Sequence, residues 1–136
     1  MKVSSKIYYV SSRKGNDEND GSMERPFATL FAVNRLRLAP GEQVLLERGS
    51  VFPGQFLHLS AQGTEKAPIV IGAYGEGNLP EIEAAGQGIW YQDYGTELDS
   101  PSHTKEGYVS SAVLLYDCAY ITLRDIAVSN QGNILG

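Results

Sequence analysis

The sequence predicts an all-β fold that winds as a solenoid, with a short helix near its amino-terminal end. From residue 42 onward, short apolar runs recur between Gly, Pro and Asn residues, and each run is shorter than a typical sandwich strand. No helical period separates these runs, which excludes a doubly wound α/β fold. A single stretch with helical spacing precedes them. These features predict short strands that stack on one another.

The head of the chain, residues 7–41, is predicted to cap the solenoid. It opens with a strand at Ile7–Val10, which is rich in β-branched and aromatic residues. A polar loop follows, and Pro26 then suits the first turn of a helix, where a missing N–H costs nothing. Pro40 and Gly41 end this helix. Its apolar face, which we expect to seal the core, comprises Phe27, Leu30, Phe31, Val33 or Asn34, and Leu38.

The polar loop before the helix contains an acidic cluster. Asp17, Glu18 and Asp20 lie close together, with Asn16 and Asn19 beside them. Several such oxygens in a short loop can hold calcium, which prefers oxygen ligands. The spacing differs from that of an EF-hand and no closing glutamate follows, so we favour turn formation and keep calcium as the alternative. No other cofactor or metal site is indicated.

The composition is that of a single globular domain spanning residues 1–136, with the coils of the solenoid in residues 42–136. Hydrophobic residues make up 42% and charged residues 20% of the chain, so disorder is not expected. The formal net charge is -5, which argues against a nucleic-acid partner because such affinity comes largely from Lys and Arg.

Cys118 is the only cysteine, which excludes a disulfide framework and a cysteine-based metal site. Its neighbours are typical of strands, so we expect it to be a buried small hydrophobe. Residues 2–6 lack the apolar stretch of a signal peptide, and no run is long enough to span a membrane. The chain is either cytoplasmic or part of a secreted, cell-surface or periplasmic protein whose signal peptide is not in this sequence.

The predicted strands of the coils, and the segments around them, are similar to a known class of proteins. The strands are predicted at residues 43–46, 55–59, 69–71, 81–82, 89–91, 113–116, 121–123 and 126–128. The similarity rests on residues 8–11, 15–17, 20–22, 25–30, 40–46, 49–52, 67–75, 111–116 and 120–126. These segments resemble the start of the right-handed parallel β-helix proteins of the pectate-lyase-like class. The resemblance implies a truncated fragment: an amino-terminal cap, formed by the first helix, and the first coils.

A long segment, residues 86–108, interrupts the predicted coils and is the most site-like part of the chain. Trp90, Tyr91 and Tyr94 are candidate substrate-binding residues, because aromatic rings can stack on sugar rings. His103 is a fourth candidate in the same segment. The default alternative is a solvated insertion that packs Trp90 on the surface of the solenoid.

Acidic residues in the same segment give a weaker indication of chemistry. Asp93, Glu97 and Asp99 could furnish the general acid and base of glycoside hydrolysis, in which two carboxylates flank one bond. Any acidic loop contains such pairs, so no catalytic residue is assigned. His58 alternates with apolar residues, and we expect it on the solvent face of a strand.

The resemblance also implies a function, which is that of the amino-terminal portion of a carbohydrate-active β-helix protein. Such a protein acts on a polysaccharide or oligosaccharide as a lyase or a glycoside hydrolase. The cleft of this class lies along middle coils, so the catalytic coils are expected beyond this chain. The alternative is a non-catalytic surface or adhesion module, in which a stiff solenoid presents loops.

Overall fold

The computed structural model describes residues 3–95 and 105–131, which form a predominantly β structure with one short helix. The elements are β1 (Ile7–Val10), α1 (Leu30–Asn34), β2 (Gln43–Glu47), β3 (Val51–Pro53), β4 (Leu57–Leu59), β5 (Ile69–Tyr74), β6 (Glu81–Glu83), β7 (Ile89–Gly95), β8 (Lys105–Ser110), β9 (Val113–Leu115), β10 (Ile121–Leu123) and β11 (Ala127–Ser129). Within the described residues, no helix is long and apolar enough to cross a membrane.

The strands form three small parallel sheets and one antiparallel pair. The parallel sheets have the strand orders β1-β2-β5-β10, β11-β6-β3 and β4-β9, and β7 pairs with β8. The chain visits the parallel sheets in a repeating order, since β2, β3 and β4 are followed by β5, β6 and then, after the β7–β8 hairpin, β9. β10 and β11 then return to the first two sheets.

The core is built from alternate residues of these strands, because successive side chains of a strand point to opposite faces. Val44 and Leu46 of β2 are buried, for example, while Leu45 between them is partly exposed. Each such burial contributes about 1.5–3 kcal/mol. The most deeply buried strand residues are Val10, Val44, Leu46, Phe52, Leu57, Ile69, Ile71 and Ile82.

A loop closes the outer edge of β1. The Tyr9 N–H donates to the Gly21 carbonyl at 2.7 Å, and the Tyr9 carbonyl accepts from the Phe27 N–H at 3.0 Å. The Ser11 N–H donates to the Phe27 carbonyl at 2.8 Å. The edge strand therefore has its backbone groups paired, which removes a template for aggregation.

The predicted start of the helix at Pro26 is wrong, and so is its predicted length. Phe27 bridges to Val10 in parallel, so this part of the chain is extended and α1 begins only at Leu30. The helix ends at Asn34, well before Pro40. Tertiary pairing with β1 has overridden the local preference of Pro26 for a helical first turn.

The predicted apolar face of the helix is confirmed in part. Leu30 and Val33 are fully buried, whereas Phe31 is 41% exposed and contacts the edge of the Phe56 ring. Leu38 is buried as expected, although it lies outside the helix. The first residue of the helix is bonded to the segment between β3 and β4, where the Gln55 Oε1 accepts from the Leu30 N–H at 2.9 Å.

The all-β prediction is confirmed, but the finer prediction of a continuous solenoid is not. The described strands form separate small sheets, and the segment after Gly88 makes an antiparallel hairpin where an irregular insertion was expected. Most predicted strands are present within a residue or two, whereas β3 and β8 were not predicted as strands.

Candidate functional site

The three aromatic candidates lie together on one strand of the antiparallel hairpin. Trp90, Tyr91 and Tyr94 all belong to β7, a stretch whose aromatic residues favour extended backbone. The pairing runs from Ile89 opposite Ser110 to Gly95 opposite Lys105. The register shifts between Asp93 and Gly95, which makes a bulge at Tyr94.

The remaining candidates of this segment are placed differently. His103, Glu97 and Asp99 lie outside the described residues. Asp93 lies on β7, where its backbone pairs with that of Glu106. The substrate-binding role of Trp90, Tyr91, Tyr94 and His103 therefore stays a prediction.

The base of the hairpin is a close approach of backbone to backbone at Gly88. Its φ is +77°, and a Cβ at this position would lie 2.3 Å from the Ser111 carbonyl oxygen. The same Cβ would lie 3.1 Å from the Phe56 Cβ and 3.2 Å from the His58 Nε2. The Ser111 N–H in turn donates to the Gly88 carbonyl at 3.0 Å. Only glycine fits here, both for its backbone conformation and for space.

His58 contacts the hairpin base, so the prediction that it faces solvent is wrong. Its Nε2 lies 2.7 Å from the Ser111 carbonyl oxygen, and its ring packs at 4.5 Å from that of Phe56. The side chain is half-buried. The alternation of residues around His58 placed it correctly on the outward face of β4, but the hairpin covers that face.

Asn130 holds the other side of the hairpin base. It directly follows β11, and its Oδ1 accepts from the Gly86 N–H at 2.8 Å. Its Nδ2 donates to the carbonyl of Ser110 at 3.3 Å and to the Ser110 Oγ at 3.2 Å. The Ser110 hydroxyl donates onward to the Gln87 carbonyl at 2.7 Å.

A polar depression of about 450 Å³ adjoins this base. It is lined by Glu81, Glu83, Ala85, Ser129 and Gln131. Glu81 and Glu83 flank the buried Ile82 on β6, so both project from the outer face of the sheet. Ser129 of β11 pairs in register with Glu83.

The depression and the hairpin are continuous along the chain. Ala85 immediately precedes Gly86, and Gln131 immediately follows Asn130. Two residues that line the depression are therefore chain neighbours of the residues bonded at the hairpin base. Sequence reasoning missed this site. The alternation of Glu, Ile and Glu at residues 81–83 was the available signal, but the partner strand lies more than forty residues away.

This arrangement suits recognition of a sugar. Carboxylate oxygens accept hydrogen bonds from sugar hydroxyls, and amide and hydroxyl groups such as those of Gln131 and Ser129 can both donate and accept. The strand β7, whose sequence contains three aromatic residues, begins four residues after Ala85 in the chain. A small number of precisely placed polar groups is typical of small-molecule sites.

The acidic loop uses its side chains to hold its own backbone. Asp17 accepts from the N–H groups of Ala28 and Thr29 at 2.8 and 2.9 Å, and also from the Thr29 hydroxyl. Asn16 and Asp20 accept from N–H groups two residues further on. In the described part of the chain, no three His, Cys, Asp or Glu residues are grouped as a metal site would require. These contacts favour the turn-forming interpretation over calcium.

Cys118 is half-buried and lies in the irregular segment between β9 and β10, so the prediction of a buried small hydrophobe is wrong. Its Sγ lies 3.2 Å from the Tyr116 carbonyl oxygen. The preceding residue, Asp117, has a φ of +51°, which breaks the strand before Cys118.

Comparison with known proteins identifies relatives that are much longer, and this chain matches only a part of each. No family model matches the sequence. The chain is 39% identical over 132 residues to a lacto-N-biosidase of Bifidobacterium longum subsp. longum, covering 91% of this chain and 8% of that protein. It is 27% identical over 124 residues to the uncharacterized protein YwoF of Bacillus subtilis, covering 91% of this chain and 23% of that protein.

A solved structure is also similar. Crystal structures of the GH136 lacto-N-biosidase from Eubacterium ramulus match with a TM-score of 0.87 and 62% sequence identity. The match covers 96% of this chain and 21% of the crystallised chain. The chain therefore spans about a fifth of the solved relative and less than a tenth of the curated one.

These matches overturn the assignment to the pectate-lyase-like class. The similarity in sequence and structure is to lacto-N-biosidases instead. The segments that carried the earlier resemblance are glycine and asparagine turns alternating with short apolar runs. Such patterns report short strands and tight turns in general, and they do not discriminate between protein families.

Proposed function

We propose that this chain is a region of a glycoside hydrolase similar to the GH136 lacto-N-biosidases. The observation that carries the proposal is the 62% identity over 96% of the chain to the Eubacterium ramulus enzyme. Identity at this level, combined with a TM-score of 0.87, supports a common architecture for the matched region. The lyase alternative has no support from these relatives.

Within that enzyme, we assign this region the task of contacting the substrate through the hairpin and the adjoining depression. The aromatic strand β7 offers rings for sugar stacking, which suit both the apolar face and the polar edge of a pyranose. Glu81 and Glu83 offer acceptors for sugar hydroxyls. The name of the relatives indicates the ligand: an oligosaccharide that contains a lacto-N-biose unit.

The chain visits the parallel sheets in a repeating order, which supports a proposal about how the strands are stacked. We propose that β2–β4, β5–β9 and β10–β11 are successive coils of a parallel β-helix, from which the β7–β8 hairpin projects. The in-register parallel pairing of β1, β2, β5 and β10 supports this arrangement. An experimental structure in which the three parallel sheets do not enclose one core would contradict it.

Titration with lacto-N-biose tests the function. Two-dimensional NMR spectra of the ¹⁵N-labelled chain should show saturable shifts for the amides of β6, β7 and β11, with a Kd of about 1 mM for so small a ligand. Trp90→Ala and the double variant Glu81→Gln/Glu83→Gln should each weaken binding about three- to tenfold, the effect of one or two lost contacts.

Two controls make this experiment specific. Asn78→Ala changes an exposed side chain that makes no hydrogen bond within residues 3–95 and 105–131, and it should leave the Kd unchanged. Cellobiose should bind at least about tenfold more weakly than lacto-N-biose. Equal shifts with both disaccharides, or none with either, would contradict the proposed function and favour a structural module.

A further inference from the structure

The hairpin is held at two adjacent residues by side chains from two separate parts of the fold. The Ser111 carbonyl is bonded to His58 of β4, and Ser110 is bonded to Asn130, which follows β11. β4 and β11 belong to different sheets. The base of the hairpin is therefore tied to two elements of the fold that lie outside the hairpin.

His58 is itself fixed in place by the helix. Its backbone N–H donates to the Asn34 Oδ1 at 2.9 Å, and the Asn34 Nδ2 donates to the Phe56 carbonyl at 2.9 Å. A carbonyl oxygen can only accept, so Nε2 carries the hydrogen in the bond to Ser111.

Asn130 ties the two ends of the hairpin to each other. Its carbonyl oxygen binds Gly86, before β7, and its amide nitrogen binds Ser110, at the end of β8. One side chain thus uses both its acceptor and its donor, and neither aspartate nor alanine can do the same.

We infer that His58 and Asn130 form a two-point clamp that positions the β7–β8 hairpin for sugar binding. The inference rests on the proposed function, since it deepens the role given to the hairpin. A two-stranded hairpin is marginally stable by itself, and a single attachment would leave it free to rotate. Two attachments at its base fix its direction before the ligand arrives, which lowers the ordering cost of binding. Both are positioning residues, because neither is assigned a contact with the sugar.

Hydrogen exchange of the 136-residue chain tests the clamp. His58→Phe keeps an aromatic ring against Phe56 but removes the donor, and Asn130→Ala removes both polar groups. His58→Phe should raise amide exchange in β7 and β8 about tenfold, as expected for one lost hydrogen bond in a locally opening unit. Asn130→Ala removes more than one bond and should raise it by at least about tenfold, and both variants should leave β2 and β5 unchanged. His58→Gln, whose amide can donate in place of Nε2, should restore much of the protection, and Asn130→Asp should not.

A double-mutant cycle strengthens the test. Because both side chains hold the same base, His58→Phe and Asn130→Ala together should raise exchange by a factor that differs from the product of the single effects. Trp90 is the only tryptophan in the chain, so acrylamide quenching of its fluorescence gives an independent measure of the hairpin. Asn78→Ala is the matched control for Asn130→Ala.

The outcomes separate this inference from the proposed function. Faster exchange in the hairpin together with a three- to tenfold higher Kd for lacto-N-biose supports both. Faster exchange with an unchanged Kd leaves the clamp standing and overturns the binding role of the hairpin. Unchanged exchange, or exchange that rises equally in β2 and β5, overturns the clamp, because the side chains then either do nothing or stabilise the core in general.

Discussion

Asp17 organises the amino-terminal head through a set of hydrogen bonds around one carboxylate. Partial burial raises the pKa of this carboxyl, but the Thr29 hydroxyl and the N–H groups of Ala28 and Thr29 outweigh that effect. The pKa of Asp17 therefore lies below its usual 3.8. These bonds fasten the polar loop to the residues just before α1, which is how the loop can cover the edge of β1.

Asp17→Asn should destabilise the chain by about 1–2 kcal/mol at pH 7, because an amide offers one acceptor where the carboxylate offers several. The pKa of Asp17 is lower in the folded chain than in the unfolded chain. Its stabilisation is therefore complete above about pH 4 and is lost as the pH falls through the folded-state pKa. Urea unfolding of the wild type and of Asp17→Asn between about pH 2 and pH 7, a range that spans the titration of a carboxyl group, measures this loss of stability.

Asp20→Asn is the matched control for this prediction. Asp20 lies in the same loop but is exposed, and its carboxylate bonds to Ser22 and to its own backbone N–H, with no bond to the residues before α1 in the described chain. The control should lose much less stability at neutral pH. A difference between wild type and Asp17→Asn that stays constant down to pH 2 would show that the carboxylate charge is not involved.

Glu47 is a second carboxylate that the sequence did not single out. It accepts from the Ser11 hydroxyl at 2.6 Å and from the Lys14 Nζ at 3.2 Å, and Arg13 lies at 3.3 Å. The Ser11 bond is the largest influence and lowers the pKa of Glu47, against the opposing effect of burial. Its partners lie more than thirty residues earlier in the chain, so a local pattern could not reveal them.

At the scale of elements, α1 owes its position to tertiary contacts more than to its own sequence. A helix of five residues is too short to be stable alone. Leu30 and Val33 anchor it in the core, and Gln55 and Asn34 join it to the start of β4. The helical spacing of apolar residues predicted which residues are buried better than it predicted where the helix begins.

Leu30→Asp should unfold the chain or cost more than about 4 kcal/mol, because Leu30 is fully buried and the charge would have no partner. Phe31→Asp should cost only about 1 kcal/mol, since Phe31 is largely exposed and loses one edge contact with Phe56. Circular dichroism and urea unfolding compare the two. Similar losses for the neighbouring substitutions would mean that Phe31 is also part of the core.

In the hairpin, the sequence predicts one of the two strands and misses the other. The sequence predicts a strand at residues 89–91, whereas Lys105–Ser110 falls in a segment for which it predicts no strand. Its residues include glycine and charged side chains, which have low strand propensity. It is a strand because β7 provides a partner for its backbone, and pairing of this kind depends on residues outside the segment.

At the scale of the whole molecule, burial decreases from the inner strands to β10 and β11. Ile71 of β5 and Leu123 of β10 are direct neighbours across the sheet. Ile71 is fully buried, whereas Leu123 is 38% exposed. β10 has only β5 beside it among the described strands, so its outer side is open there.

Ile71→Ala should therefore lower the free energy of unfolding by about 3 kcal/mol, as for a fully buried large-to-small change. Leu123→Ala should lower it by about 1 kcal/mol, since less apolar surface is buried at that position. Urea titrations of both variants measure the difference. Equal losses would indicate that the outer side of β10 is covered by other parts of the chain in solution.

The sequence by itself determined where most strands lie, that the fold is predominantly β, and that residues 86–95 carry an aromatic cluster. These properties follow from local preferences, namely β-branched and aromatic runs, alternating burial, and glycines at turns. Only the tertiary structure decided that Glu81 and Glu83 share a depression with Ser129, and that His58 and Asn130 meet at the hairpin base. The physical reason is that hydrogen bonding and burial of these groups depend on partners that are distant in the chain, and their approach is set by the packing of the whole core.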